Sequence, residues 1–220
     1  MPRAGVSPVA PEAALAAMSP ALAELSARGE ERRYRKGHLL IREGDIGETL
    51  FIILSGRLRA YSGGDNAREI TYGVYGPGEY LGEISLDGGP RSASVVTLEA
   101  AVCSVVSKRT IERFIAERPE FAFELLAKVI ARARAATLSA RQLALHDVYG
   151  RLRLLLSQLA QRQGDGRQVL AERLTHQEMS NRLGCSREMV SRLMKDLERG
   201  EYVRVVDQHY EVLRPLPQRW

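Results

Sequence analysis

Apolar positions fall into two regimes along the 220 residues. In the first, short β-rich runs such as Leu50 to Leu54 are each cut off by a turn signal: Ser55-Gly56, Ser62-Gly63-Gly64 and Gly76-Pro77-Gly78. Runs of this length broken by glycine predict hairpins folded into an antiparallel roll or barrel, and "SASVVTLEAAVCSVVS" predicts its last pair of strands. From about Arg109 the spacing turns helical, strongly so from Glu120, with Pro119 where a helix would begin. Twelve of the 19 glycines lie between Gly37 and Gly89 and none between Pro90 and Tyr149, which places the change of architecture near the middle of the chain.

Within the helical stretch, Leu126, Ile130, Ala133, Thr137, Ala140 and Ala144 recur at alternating steps of four and three, a seam of heptad character rich in small residues. Such a seam suits close pairing of two helices in a homodimer; the competing reading packs the stripe on the chain's own β domain. Arg132, Arg134 and Arg141 lie off the seam and are expected as a solvated flank.

The segment from Leu174 to Glu198 carries a denser set of signals. Thr175 followed three residues later by Glu178 is a capping box, which predicts a helix from about His176 to Leu183. Gly184 permits a tight turn, Ser186 can cap a second helix, and Met189, Val190, Leu193, Met194 and Leu197 supply its buried face until Gly200 ends it. On that second helix Arg187, Glu188, Ser191 and Arg192 group near the N-terminal end, as in a helix-turn-helix that enters a major groove. Guanidinium matches guanine O6 and N7, and a carboxylate accepts from cytosine N4. Thr175, Ser186 and Lys195 complete the expected DNA contacts. Beyond Gly200, "YVRVVDQHYEVL" alternates around Asp207-Gln208-His209 and predicts a β-hairpin wing, with Arg204 placed to touch a phosphate.

Charge sharpens this picture. Residues 1 to 118 hold 15 basic and 15 acidic side chains, residues 119 to 146 hold 4 and 2, and residues 147 to 220 hold 13 and 10. The net +5 therefore lies after Arg118 and suits a polyanion partner. No apolar run approaches the ~18 residues of a membrane span. Residues 1 to 18, rich in Ala and Pro without a signal-type apolar block, are expected as a mobile tail of a soluble, cytoplasmic protein. Cys103 and Cys185 lie far apart and match no CxxC spacing, which argues against zinc, an iron–sulfur cluster or a disulfide framework. Residues 1 to 102 contain no cysteine, which counts against an oxygen sensor built on a cluster of N-terminal cysteines, and His38 is the one histidine of residues 19 to 118, which counts against a haem sensor or a cupin-like metal enzyme. A non-enzymatic chain is expected.

A second candidate site lies in "LGEISLDGGPRSASV". Gly82 and Glu83 precede an expected helical turn through Ile84 and Ser85, and Arg91, Ser92 and Ala93 open the next strand. Backbone amides, one guanidinium and one hydroxyl would together cradle a phosphate, while Glu83 can accept from a ribose 2′-hydroxyl. The alternative is an internal ion pair between Glu83 and Arg91.

These motifs resemble the catabolite activator protein and FNR superfamily over about residues 20 to 215, most closely in "CSREMVSRLMKDLE" and in the phosphate cassette of cyclic-nucleotide-binding domains. The resemblance implies an α+β chain divided into a tail (residues 1–18), a β-roll effector domain (19–118), a long dimerisation helix (119–146) and a winged helix-turn-helix (147–220). It implies a homodimer on two-fold symmetric double-stranded DNA with TGA-containing half-sites, cyclic AMP as effector, and RNA polymerase as a further partner. Ser191 is more typical of the FNR branch, and Thr137 matches a hydroxyl that contacts the base, whereas Ala136 replaces its neighbour. Cyclic GMP, cyclic-di-GMP, a ligand-independent regulator and a signalling module acting on a protein partner stay open. A hinge is expected near His146-Asp147.

Overall fold

The computed structural model describes residues 18–64, 69–164 and 167–219. Most of the expected tail, residues 1 to 17, lies outside the described residues. The described residues form two compact units, one reaching from residue 18 to Ser62 and from Thr71 to Arg134, the other joining the described part of Gly63–Ile70 to that of the chain from Ala135 onward.

The first unit opens with α1 (Pro20–Ala27), whose start is set by Ser19: its hydroxyl accepts from the Leu22 amide at 3.1 Å, and proline takes the first helical position. Strands β1 (Glu30–Tyr34), β2 (Leu39–Ile41), β3 (Thr49–Ser55), β4 (Leu58–Gly63), β5 (Glu69–Tyr75), β6 (Tyr80–Leu81), β7 (Ser94–Thr97) and β8 (Ala101–Ser107) follow. They make two four-stranded sheets, ordered β1-β8-β3-β6 and β2-β7-β4-β5. The expected roll is thus present, and α1 is an addition that its eight residues, without an apolar stripe long enough to read, did not announce.

Strand β3 shows why a continuous apolar run was needed. Successive side chains point to opposite faces. Leu50 and Ile52 enter a cluster with Leu25, Phe114 and Phe121, while Phe51 and Ile53 enter another with Leu58, Val95 and Cys103. Burial pushes the Cys103 thiol up to about 12, which leaves it a packed, inert side chain.

Ser107 caps α2 (Lys108–Glu117), which breaks at Arg118-Pro119 before the 26-residue α3 (Glu120–Leu145). Phe114 and Phe121 meet edge to face across this break, centroids 5.2 Å apart, and lock the two helices at their junction. Along α3 only Phe121 is fully buried. Leu126 and Ile130 of the small-residue seam are 53% and 41% exposed.

In the second unit Asp147 caps α4 (Val148–Leu159), its carboxylate accepting from the Gly150 amide at 2.7 Å. Strands β9 (Ala160–Arg162) and β10 (Gln168–Leu170) lead to α5 (His176–Leu183) and α6 (Arg187–Arg199). Strands β11 (Val203–Val206) and β12 (His209–Val212) then close a sheet ordered β11-β12-β10-β9. The hairpin turns at Asp207 and Gln208 with φ of 50° and 65°, as a two-residue turn of that hand requires. Three-residue strands β9 and β10 are too short to show alternation in the sequence. Leu152, Leu156, Met179, Val190, Met194 and Tyr210 form one core. Among the described residues no helix is long and apolar enough to cross a membrane.

Candidate functional site

The turn after β6 begins at Gly82, whose φ of 98° lies in the region glycine favours, and a 3-10 turn spans Glu83–Ser85. Arg91 is buried beneath it. Its guanidinium donates to the Gly82 carbonyl at 2.9 Å, to the Thr49 carbonyl at 3.0 Å and to the Thr49 hydroxyl at 2.9 Å. All three acceptors are neutral. Burial pulls the pKa of Arg91 down, and the charge of nearby Glu83 partly offsets that. Two glycines make room for the fork: a Cβ on Gly47 would stand 2.8 Å from Nε, and one on Gly82 would stand 2.6 Å from Nη1. The result is a buried cation held in place by dipoles, with its charge left for an anion.

Glu83 is also buried, and its partner is not Arg91. Arg132 of α3 pairs with Glu83 Oε1, donates to the Tyr80 carbonyl at 2.6 Å and lies 5.0 Å from the centroid of the Tyr75 ring. The alternative of an internal ion pair and the expectation of a solvated Arg132 both fall here. The Glu83–Arg91 ion pair is not formed, because Thr49 and Gly82 occupy the Arg91 fork. Arg132 is no solvated flank: its side chain is 17% exposed and pairs with Glu83. Phe121, Leu125, Lys128 and Arg132 share one helical face, and the burial of Phe121 marks it as the face turned inward.

Glu83 Oε2, Arg132 Nε and Tyr80 Oη are buried with no hydrogen-bond partner among the described residues. Unpaired buried polar atoms are costly, and two of these belong to one ion pair, Glu83 with Arg132, where a polar ligand could satisfy them. Ser85 is committed elsewhere, its hydroxyl donating to the Gly47 carbonyl at 2.8 Å. Ile84 and Ser92 are exposed and Ala93 half-buried; Arg91, Ser92 and Ala93 precede β7, which starts at Ser94, instead of opening it. Thr137 sits on α3 past Arg134 and belongs to the second unit.

In the second unit the capping box is complete. The Thr175 hydroxyl accepts from the Glu178 amide at 3.1 Å, and the Glu178 carboxylate accepts from the Thr175 amide at 2.7 Å. Gly184 turns the chain at φ 64°, and the Ser186 hydroxyl accepts from the Met189 amide at 3.2 Å to start α6. Thr175 and Ser186 therefore hold the helices, and Arg187, Glu188, Arg192 and Lys195 stand exposed on α6. The Glu188 carboxyl is held below its ordinary range by its own backbone amide and by the Ser186 hydroxyl, so it stays an acceptor at neutral pH. Ser191 is half-buried and lies 2.9 Å from His176 Nδ1. Arg204 donates to the buried Glu211 carboxylate at 2.6 Å, so its first task is to neutralise that group. Ser186→Ala is expected to cost about 1 kcal/mol, read as a lowered thermal transition.

Residues 31–118 match the cyclic nucleotide-binding domain and residues 150–215 the Crp-like helix-turn-helix domain. The chain is 31% identical over 189 residues to the CRP-like cAMP-activated global transcriptional regulator of Mycobacterium tuberculosis, covering 84% of each protein. It is 32% identical over 177 residues to the cyclic AMP receptor protein of Thermus thermophilus, covering 80% of each. Its fold is similar to that of the c-di-GMP-responsive global regulator CLP of Xanthomonas campestris, with a TM-score of 0.75 and 24% identity over 87% of this chain and 97% of that one.

Proposed function

The chain belongs to the CRP family of transcription regulators, a DNA-binding regulator under cyclic-nucleotide control, and from that premise we propose that cyclic AMP is its effector and that it acts as a homodimer. The carrying observation is the pair of buried, opposite charges: Arg91, held by neutral acceptors only, and Glu83, with one oxygen unpartnered. A cyclic nucleotide supplies one negative charge and one ribose hydroxyl. Arg91 would bind the phosphate, the amides of the Gly82 to Ser85 turn and the Ser92–Ala93 segment would line it, and Glu83 would accept from the 2′-hydroxyl. Thr137 is assigned to the base.

Glu83 gives the pocket its link to the rest of the protein. Its carboxylate is shared between Arg132 and the ligand, and Arg132 rides on the helix that continues into the exposed seam. A ligand that engages Glu83 thus acts on α3, and it can switch DNA binding only to the extent that it binds the active arrangement better. Residues 19–118 are assigned to the effector, 119–146 to dimerisation and 147–220 to DNA. On a two-fold site with TGA half-sites the paired recognition helices would stand ~34 Å apart, Arg187, Glu188 and Arg192 reading base edges. A cytoplasmic, non-enzymatic regulator that meets RNA polymerase completes the proposal.

Calorimetry against cyclic AMP, cyclic GMP and cyclic-di-GMP tests the effector. Cyclic AMP binding at one site per chain is expected; binding of another nucleotide alone would reassign the ligand, and binding of none would remove it. Ile130→Ala, which trims the exposed seam in both copies, is expected to weaken the dimer about tenfold, measured by analytical ultracentrifugation.

A further inference from the structure

His176 opens α5, yet its ring reaches two other elements. Nδ1 lies 2.9 Å from Ser191 Oγ on α6, and Nε2 lies 3.0 Å from Tyr210 Oη on β12. The His176 and Tyr210 rings are close to parallel, at 20°. Tyr210 is buried in the core of the second unit, so one end of this chain of three groups is fixed. Ser191 stands at the other end, half-buried on α6 between the exposed Glu188 and Arg192.

We propose that His176 is a positioning residue for DNA reading, one that orients the Ser191 hydroxyl and decides whether Ser191 offers a base a donor or an acceptor. This rests on α6 being the DNA-reading helix. A serine hydroxyl left alone rotates freely and can donate or accept. Neutral imidazole has one donor and one acceptor nitrogen, and the partner on one side sets the role on the other. The phenol of Tyr210 is a much stronger acid than an aliphatic hydroxyl, so Tyr210 donates to Nε2. The ring proton then sits on Nδ1 and is donated to Ser191 Oγ. The Ser191 hydrogen is left pointing away from the ring, ready for an acceptor such as thymine O4 or a purine N7. A protonated His176 would also donate from Nδ1 and leave Ser191 in the same role.

The test uses the intact dimer with its nucleotide and a randomised two-fold symmetric DNA library, sequencing the bound fraction. Ser191→Ala locates the base pair that Ser191 reads, as the position where preference falls. His176→Phe keeps the ring and removes both nitrogens; it is expected to lower preference at that same position about tenfold, to spare the other positions, and to add nothing in the Ser191→Ala background. His176→Asn, which retains a polar group near the place of Nδ1, is expected to restore most of the preference. A uniform loss at all positions together with a lowered thermal transition would assign His176 to packing and overturn the proposal. So would a His176→Phe profile equal to that of the unaltered protein, or a Ser191→Ala change that alters no position. Failure of the unaltered protein to select any sequence would instead strike at the DNA-reading assignment of α6.

Discussion

Replacing Arg187 by alanine is expected to erase most of the sequence selection while leaving nucleotide binding and folding intact. Arg187 is the first residue of α6, exposed, and free of the caps that build the helix, since Ser186 performs that task. Its loss removes a planar fork able to bond guanine O6 and N7 together, worth about 1 to 3 kcal/mol per base pair. A two-fold site contains the contact twice, so selected DNA should lose about 2 to 6 kcal/mol relative to random DNA. Competitive band shifts with selected and scrambled duplexes measure this ratio. Binding to scrambled DNA should fall far less, because phosphate contacts dominate there and Arg192, Lys195 and the rest of the basic second unit remain. A parallel drop on both duplexes would make Arg187 a phosphate contact.

Arg91→Ala is expected to weaken cyclic AMP binding about 10- to 150-fold, the equivalent of one charge-assisted hydrogen bond to the ligand at ~1.5 to 3 kcal/mol. Arg91 also satisfies the Gly82 and Thr49 carbonyls, so the alanine variant should melt earlier as well. Arg91→Lys separates the two effects: a point charge survives, the fork does not, and binding should be recovered only in part. Calorimetry reads the affinity and circular dichroism the melting. Unchanged affinity in both variants would place the anion elsewhere. DNA selection by the ligand-free protein should be indifferent to either change.

The sequence showed the DNA-reading half more fully than the effector pocket, for a physical reason. Thr175, Glu178, Gly184 and Ser186 act on their immediate neighbours: caps and a left-handed glycine are local devices, so their spacing alone reveals α5 and α6. The roll was visible in its turns. By contrast, Arg132 works on Glu83, 49 residues away, and His176 on Tyr210, 34 residues away. Spacing along a helix showed Arg132 only as off the seam. Nothing local distinguishes an arginine facing solvent from one turned inward onto a carboxylate. Ser191 was recognised by its place on the helix, but its tie to His176 required the packing of α5 against α6 and the wing. Strands β9 and β10 escaped because each is stabilised by its neighbours and not by its own three residues.

The most direct test of control by a cyclic nucleotide is a DNA titration by fluorescence anisotropy, on a selected two-fold site at fixed salt, with and without saturating cyclic AMP. Expected is a markedly higher affinity with the nucleotide, moved by Arg91→Ala to correspondingly higher cyclic AMP concentrations and left in place by Arg187→Ala, which should lose selection in both conditions. Equal affinity with and without cyclic AMP, in a protein that calorimetry shows to bind it, would contradict the coupling of Glu83 and Arg132 to DNA reading.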